Sequence, residues 1–207
     1  MIKLLIATHN PGKLAEYKQL LSSTGIDLLS LDDIGITEEV EETGVSFRQN
    51  SYLKAKSYSI LSGVITLSDD SGLQVDHLGG DPGIYWARYG GELCKNDSDR
   101  VELLLNNLHG TPWRNRSARF TCVISICSGE NLLSSVVGSI SGMIQYEPRG
   151  HNGFGYDPIF YLPSYRKTMS ELEQKEKNLL SHRSDALRKV SAILPKLING
   201  QRSFTNA

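Results

Sequence analysis

The feature that most constrains the fold is a run of strict alternation near the middle of the chain. Ala118, Phe120, Cys122, Ile124 and Ile126 interleave with Arg119, Thr121 and Ser125. A period of two sends one set of side chains to a core and the other to the opposite face, so the segment is predicted as a half-buried antiparallel strand. A G-E-N turn and the stretch Leu132 to Tyr146 follow and read as its hairpin partner. Helical spacing appears on both sides. Pro11 opens a segment, Gly12 to Ser23, that carries Leu14, Tyr17, Leu20 and Leu21, with Asn10 as candidate N-cap. Ser46 to Gln49 has capping-box form ahead of Leu53, Ala55, Lys56 and Ile60. Asp97 or Ser98 caps a helix through Leu108, Thr168 to Glu171 opens another, and Ala186, Leu187, Val190, Ile193, Leu194 and Leu197 mark the last. The apolar runs Ile2 to Ala7 and Val64 to Ser68 are predicted strands, the second ending in a D-D-S-G turn. Strands early, a hairpin in the middle and helices around them predict an α/β fold on a mixed sheet, with residues 1–207 as a single domain.

Composition narrows the function. The chain has 207 residues with 22 Lys+Arg against 23 Asp+Glu, a formal net charge of −1, so salt-driven coating of nucleic acid is excluded as its main role. Cys94, Cys122 and Cys127 are odd in number and form no C-x-x-C pair, which supports neither a disulfide framework nor a zinc site. The N-terminal apolar run is too short for a signal peptide, and the charge-free stretch Asn131 to Tyr146 is short of the roughly 20 apolar residues of a membrane helix. A cytoplasmic protein with no membrane partner is expected.

Five groups of residues have chemistry to offer. Thr8-His9-Asn10-Pro11-Gly12-Lys13 follows a strand and opens a helix, an arrangement that aims backbone N–H groups and the positive helix end at an anion such as phosphate. An ordinary βα turn, with Asn10 capping and Lys13 solvated, fits the same letters. Asp69 and Asp70 are adjacent carboxylates, which repel unless a cation or solvent relieves them; a Mg²⁺ site and a polar turn both remain open. Glu38, Glu39, Glu41 and Glu42 form an acidic run that reads either as a solvated loop or as the source of one inward-turned metal ligand. The G-F-G-Y-D-P loop, Gly153 to Pro158, offers aromatic faces for a planar ring, and Glu176 to Arg183 places Lys177, His182 and Arg183 at the junction of two helical patterns. Lys54, about two turns after the Ser46 cap, could reach the same site, but reads more simply as an exposed helical lysine.

Taken in order, these blocks resemble the inosine triphosphate pyrophosphatase family, which removes deaminated purine nucleotides such as ITP, dITP and XTP. The resemblance runs through A-T-H-N-P-G-K, then E-E-T-G-V-S-F-x-x-N (Glu41 to Asn50), then the block Ser68 to Gly91 that opens S-D-D-S-G. It continues through G-F-G-Y-D-P-I-F (Gly153 to Phe160) and E-K-N-x-x-S-H-R-x-x-A (Glu176 to Ala186). It implies an elongated mixed-sheet α/β protein with two lobes flanking a nucleotide cleft, a homodimer, and Mg²⁺-dependent hydrolysis of a purine nucleoside triphosphate to the monophosphate and pyrophosphate. It implies phosphate and sugar contacts at Thr8, His9, Asn10, Pro11, Gly12 and Lys13, and metal ligation at Glu41 and Asp70. Asp70 also falls at the general-base position, with Asp69 as the alternative, and Ser71 beside it touches substrate. Base recognition is implied at Phe154, Gly155, Tyr156, Asp157, Lys177, His182 and Arg183.

Two departures are visible. Gln49 stands where many relatives carry Glu, and Trp86 where the I-Y-x-A-R block often has a small residue. A nucleotide-binding regulator without turnover and a pyrophosphatase for other modified nucleotides are the alternative functions.

Overall fold

The computed structural model describes residues 3–202. Strand β1 (Lys3–Ile6) runs parallel to β2 (Asp27–Ser30) and to β3 (Thr66–Val75), with Leu5 opposite Leu29 on one side and Thr66 on the other. The alternating segment is β4 (Ser117–Ser128), and β5 (Asn131–Ile144) follows after only Gly129 and Glu130, a connection short enough to join only antiparallel neighbours. Gly129 takes φ +56° in that turn, where a side chain would be strained. Two short strands, β6 (Phe160–Leu162) and β7 (Lys167–Thr168), pair antiparallel to complete the order β2-β1-β3-β4-β5-β6-β7. The expected mixed α/β class is therefore present.

The helices are α1 (Pro11–Leu21), α2 (Phe47–Ser62), α3 (Asp97–Asn107), α4 (Gln174–Leu180) and α5 (His182–Arg202). Asn10 caps α1 through its side chain, as expected. Ser46 caps α2, but the Gln49 amide oxygen accepts from the Val45 N–H, so the return arm of the box lands one residue early. The cap of α3 is Asn96, in place of Asp97 or Ser98. Thr168 and Glu171 do form a capping box, yet it opens only the short 3-10 turn Met169–Glu171, because Leu172 is extended; Glu173 then caps α4. The largest departure concerns D-D-S-G. It is no turn: β3 continues straight through Asp69, Asp70, Ser71 and Gly72, and the first three are buried.

Two compact units make up the chain, one from residues 3–70, 122–138 and 183–202, the other from Ser71–Thr121 and Ser139–His182. In the first, the period of two along β1 divides its side chains. Leu4 and Ile6 join Tyr17 and Leu21 of α1 with Ala186, Leu187, Val190 and Leu194 of α5, while Leu5 and Ala7 join Leu31 and Tyr58 of α2. Each fully buried Leu or Ile there contributes about 1.5–3 kcal/mol. The second unit packs Val101 and Leu104 of α3, and Leu108 at its C-cap, against Leu73, Val75, Phe120, Tyr156 and Phe160. Among the described residues, no helix is long and apolar enough to cross a membrane.

Candidate functional site

In the first unit, Pro11 at the start of α1 fixes the chain's entry into the helix, and the preceding loop is tied by its own side chains. The Thr8 hydroxyl accepts from the Asn10 N–H at 3.2 Å, and the Asn10 side chain accepts from the Lys13 N–H at 3.0 Å. His9 sits at 3.1 Å from the Tyr58 hydroxyl and 3.3 Å from the Glu38 carbonyl. Lys13 does not extend into solvent. Its ammonium donates to Asp69 Oδ2 at 2.9 Å, with both side chains almost wholly covered.

The two aspartates have opposite surroundings. Burial would raise the Asp69 carboxyl, but Lys13, Lys54 and Arg183 outweigh it and hold the group well below the usual carboxylate range. The thiol of Cys122 lies 3.9 Å from the same oxygen. Asp70 is pushed up to about 6, chiefly by desolvation, with Glu42 adding to the rise and Lys54, Lys13 and the Asn50 amide opposing it. Asn50 Nδ2 donates to Asp70 Oδ2 at 3.1 Å. Lys54 is mostly covered and ion-paired with Glu42, contrary to the exposed lysine expected from the sequence; burial alone would lower its ammonium, but Asp70, Asp69 and Glu42 together raise it. Of the acidic run, Glu42 is the half-buried member facing Lys54, while Glu41 is exposed. Arg183, at the start of α5, is buried and donates to Glu16 on α1. One unit thus brings together Thr8 to Lys13, Asp70 and Arg183, with Asp69, Asn50, Lys54, Glu42 and Glu16 around them.

The second unit builds a separate cradle. The Asp157 carboxylate accepts from Lys177 Nζ at 2.7 Å and from the Phe154 N–H at 3.2 Å, and the Lys177 ammonium lies 5.1 Å from the centre of the Phe154 ring. Tyr156 is buried and donates its hydroxyl to the backbone carbonyl of Trp86 at 3.1 Å, while the Trp86 ring itself lies against Gly155, where a Cβ would meet it at 3.7 Å. His182 is buried and stacks on Phe120 with ring centres 4.9 Å apart. Gly153 has φ +87°, and a Cβ there would fall 2.2 Å from Asp157 Oδ2 and 2.9 Å from Lys177 Nζ. Gly153→Ala is therefore expected to destabilise the protein by about 2–5 kcal/mol, from left-handed backbone strain plus overpacking. Urea unfolding measures this; a change within about 0.5 kcal/mol, the range of ordinary surface substitutions, would show that the loop is not built as described.

Residues 4–193 match the Ham1 family. The chain is 50% identical over 194 residues to the dITP/XTP pyrophosphatase of Bacillus licheniformis, covering 94% of this chain and 98% of that protein. It is 46% identical over 194 residues to the dITP/XTP pyrophosphatase of Bacillus subtilis, with 94% and 98% covered. The solved structure of a HAM1 protein from Coxiella burnetii superposes with a TM-score of 0.86 at 38% identity, covering 95% of this chain and 100% of that one.

The chain belongs to the Ham1 family. The resemblance carried by the five sequence blocks is thereby confirmed. For this Ham1 chain the sequence singled out the two loops and the aspartates, but it missed the groups that hold them. Glu16 stands next to Tyr17 on the covered side of α1, and a charge on a covered face was the available signal. Asn50 lies within the E-E-T-G-V-S-F-x-x-N block but shows no role until the fold brings it to Asp70, and the partners of Lys54 (Glu42, and the charges of Asp69 and Asp70) are distant in sequence. Asp70 with Glu41 or Glu42 offers hard carboxylate oxygens, the donor chemistry that Mg²⁺ takes. Among the described residues, no three His, Cys, Asp or Glu side chains form a closed metal cage.

Proposed function

We propose that the protein hydrolyses deaminated purine nucleoside triphosphates (dITP, ITP and XTP) to the nucleoside monophosphate and pyrophosphate. The observation that carries this reading is the buried pair on β3: Asp69 occupied by Lys13, and Asp70 held by Asn50 with Lys54 close by. The names of the relatives, dITP/XTP pyrophosphatase, support the substrate class.

Water attacks the α-phosphorus, the bond from that phosphorus to the bridging oxygen breaks, and pyrophosphate leaves. Asp70 positions the water and takes its proton. Asp69 suits that role less, because Lys13 already occupies its Oδ2 and its side chain is covered. Asp70 and Glu41, with Glu42 alongside, would hold Mg²⁺, which when bound neutralises charge on the phosphates. The residues Thr8 to Lys13 bind phosphate and sugar through helix amides and the lysine charge, and Ser71 touches substrate next to Asp70. Phe154, Gly155, Tyr156, Asp157, Lys177, His182 and Arg183 read the base. Lys177 and Arg183 donate but do not accept, so they match the O6 acceptor of hypoxanthine or xanthine and mismatch the amino group of adenine. A site built to donate leaves its groups unpaired against the wrong base, which discriminates by up to about 10⁴–10⁵ in favourable cases. The same reading makes the whole chain one functional domain, cytoplasmic and homodimeric; light scattering on purified protein checks the last.

The test is a panel of ITP, dITP, XTP, GTP, ATP and dUTP with Mg²⁺, assayed separately for pyrophosphate and orthophosphate. Pyrophosphate release fastest with dITP and XTP is the expected result. Orthophosphate would overturn cleavage at the α-phosphorus, preference for ATP or dUTP would overturn the base assignment, and no release would leave a nucleotide-binding regulator.

A further inference from the structure

Asp97, the first residue of α3, lies in none of the sequence blocks that carry the family resemblance, yet it is joined to the base-reading loop. Its Oδ2 accepts from the Gly155 N–H at 2.9 Å, and its Oδ1 accepts from Arg100 at 2.7 Å. The loop is thus gripped by two carboxylates: Asp157 holds the Phe154 N–H and Lys177, and Asp97 holds the next N–H along the chain. A cavity of about 560 Å³ opens here, lined by Asp97, Val101, Leu105, Pro148, Phe154 and Pro158 among others. Phe154 and Gly155 themselves line that space, and the hydrogen bond from α3 ties the loop to the cavity's edge.

We propose that Asp97 is a positioning residue for base selection: it sets where Phe154 and Gly155 stand, and through them the plane and edge offered to the purine. This rests on the reading of 153–157 as the base-recognition loop given above. A hydrogen bond to a charged acceptor is among the stronger ones, so its loss is large enough to let the loop move into or away from the cavity. Discrimination is a difference between two bound geometries, and small displacements of positioning groups degrade it before they abolish turnover.

The experiment compares Asp97→Ala, Asp97→Asn and Asp99→Ala, reading kcat and KM for ITP and ATP. Asp99 is the control: it is also an acid in the first turn of α3, but its carboxylate accepts from the Lys95 N–H and makes no tie to the loop. We expect Asp97→Ala to raise KM for ITP about tenfold, the factor corresponding to about 1.4 kcal/mol, with kcat within about threefold. The ITP-over-ATP ratio of kcat/KM should fall by about the same factor. Asp97→Asn keeps an oxygen acceptor and should recover most of the ratio, and Asp99→Ala should leave it unchanged. A merely structural role would lower the melting temperature of both alanine variants without moving the ratio, and that outcome overturns the proposal. If Asp97→Asn behaves like Asp97→Ala, the hydrogen-bond account is overturned as well. An unmutated protein that releases no pyrophosphate from ITP refutes the functional reading instead, so the two failures are distinct.

Discussion

Asp70→Asn is expected to abolish pyrophosphate release and, in the presence of a chelator, to make the protein more stable. General bases contribute about 10²–10⁴-fold to rate, so turnover should fall by at least that range. The stability gain follows from the carboxyl's burial. In the unfolded chain Asp70 titrates near 3.8, whereas in the fold it is pushed up to about 6, chiefly by desolvation. Between those values the folded state holds a proton that the unfolded state has lost, so metal-free stability decreases as pH rises through this window. Each pH unit costs about 1.4 kcal/mol, and the total at neutral pH is about 3 kcal/mol. Asparagine keeps the shape and an oxygen but carries no charge, so it removes the penalty. For a chain of this size that corresponds to a rise in melting temperature of about 6–12 °C at pH 7.5. Added Mg²⁺ should stabilise the unmutated protein and do little for the variant, because an ion that binds only the folded state stabilises by mass action. A lower melting temperature for Asp70→Asn in chelator, or turnover within tenfold of normal, approximately 1.4 kcal/mol of barrier, would contradict the assignment. A residue that weakens the resting fold while serving the reaction is what a functional site, as opposed to a packing position, produces.

The same residues mark where the sequence could be read and where it misled. The 3–4 spacing of α5 reports its covered face directly, because the pattern is local, whereas the alternation from Ala118 to Ile126 announces a strand but not its burial: Thr121, Val123 and Ser125 are covered along with the apolar set, so from Thr121 to Cys127 β4 is buried on both faces and not half-buried as expected. Asn10 and Ser46 announce their helices for a similar reason: a cap satisfies amides only two or three residues away. β2, β6 and β7 are too short, at four, three and two residues, to show any period. Asp69-Asp70-Ser71-Gly72 misled because acids and glycine are unfavourable in a strand interior, so local chemistry says turn. What keeps β3 extended through them is provided from afar: Lys13 is 56 residues away from Asp69, and Asn50 is 20 residues away from Asp70. A local rule broken by long-range partners is the expected signature of a functional position. Within the candidate site, the loops that carry the chemistry were legible as blocks, while Glu16, Asn50, Lys54 and Asp97 were not, since each acts through a partner that only the fold brings near.

Asp69→Asn should behave in the opposite way to Asp70→Asn. Its carboxyl is held low, against the desolvation of full burial, by Lys13 first and then Lys54 and Arg183. A depressed acid contributes stability that is present above its unfolded value, here 3.8, and is lost as pH falls through the lower folded value. The unmutated protein should therefore weaken in acid below about pH 4, and the variant should lack that limb. At neutral pH the variant leaves the Lys13 ammonium covered and without its 2.9 Å partner. Removing one member of a buried pair costs about 3–5 kcal/mol, a large part of the total stability of an ordinary domain. Replacing both members is different. Lys13→Met with Asp69→Asn removes the stranded charge, and buried pairs exchanged for neutral groups of similar volume are often no less stable. The double variant should thus regain most of the loss in a urea titration, with a coupling energy of about 2–3 kcal/mol from the double-mutant cycle. It should not regain activity, because the lysine proposed to meet the phosphates is gone. Recovery of both stability and pyrophosphate release would mean that Lys13 serves only to neutralise Asp69. Recovery of stability alone separates the two roles and places the lysine in the reaction.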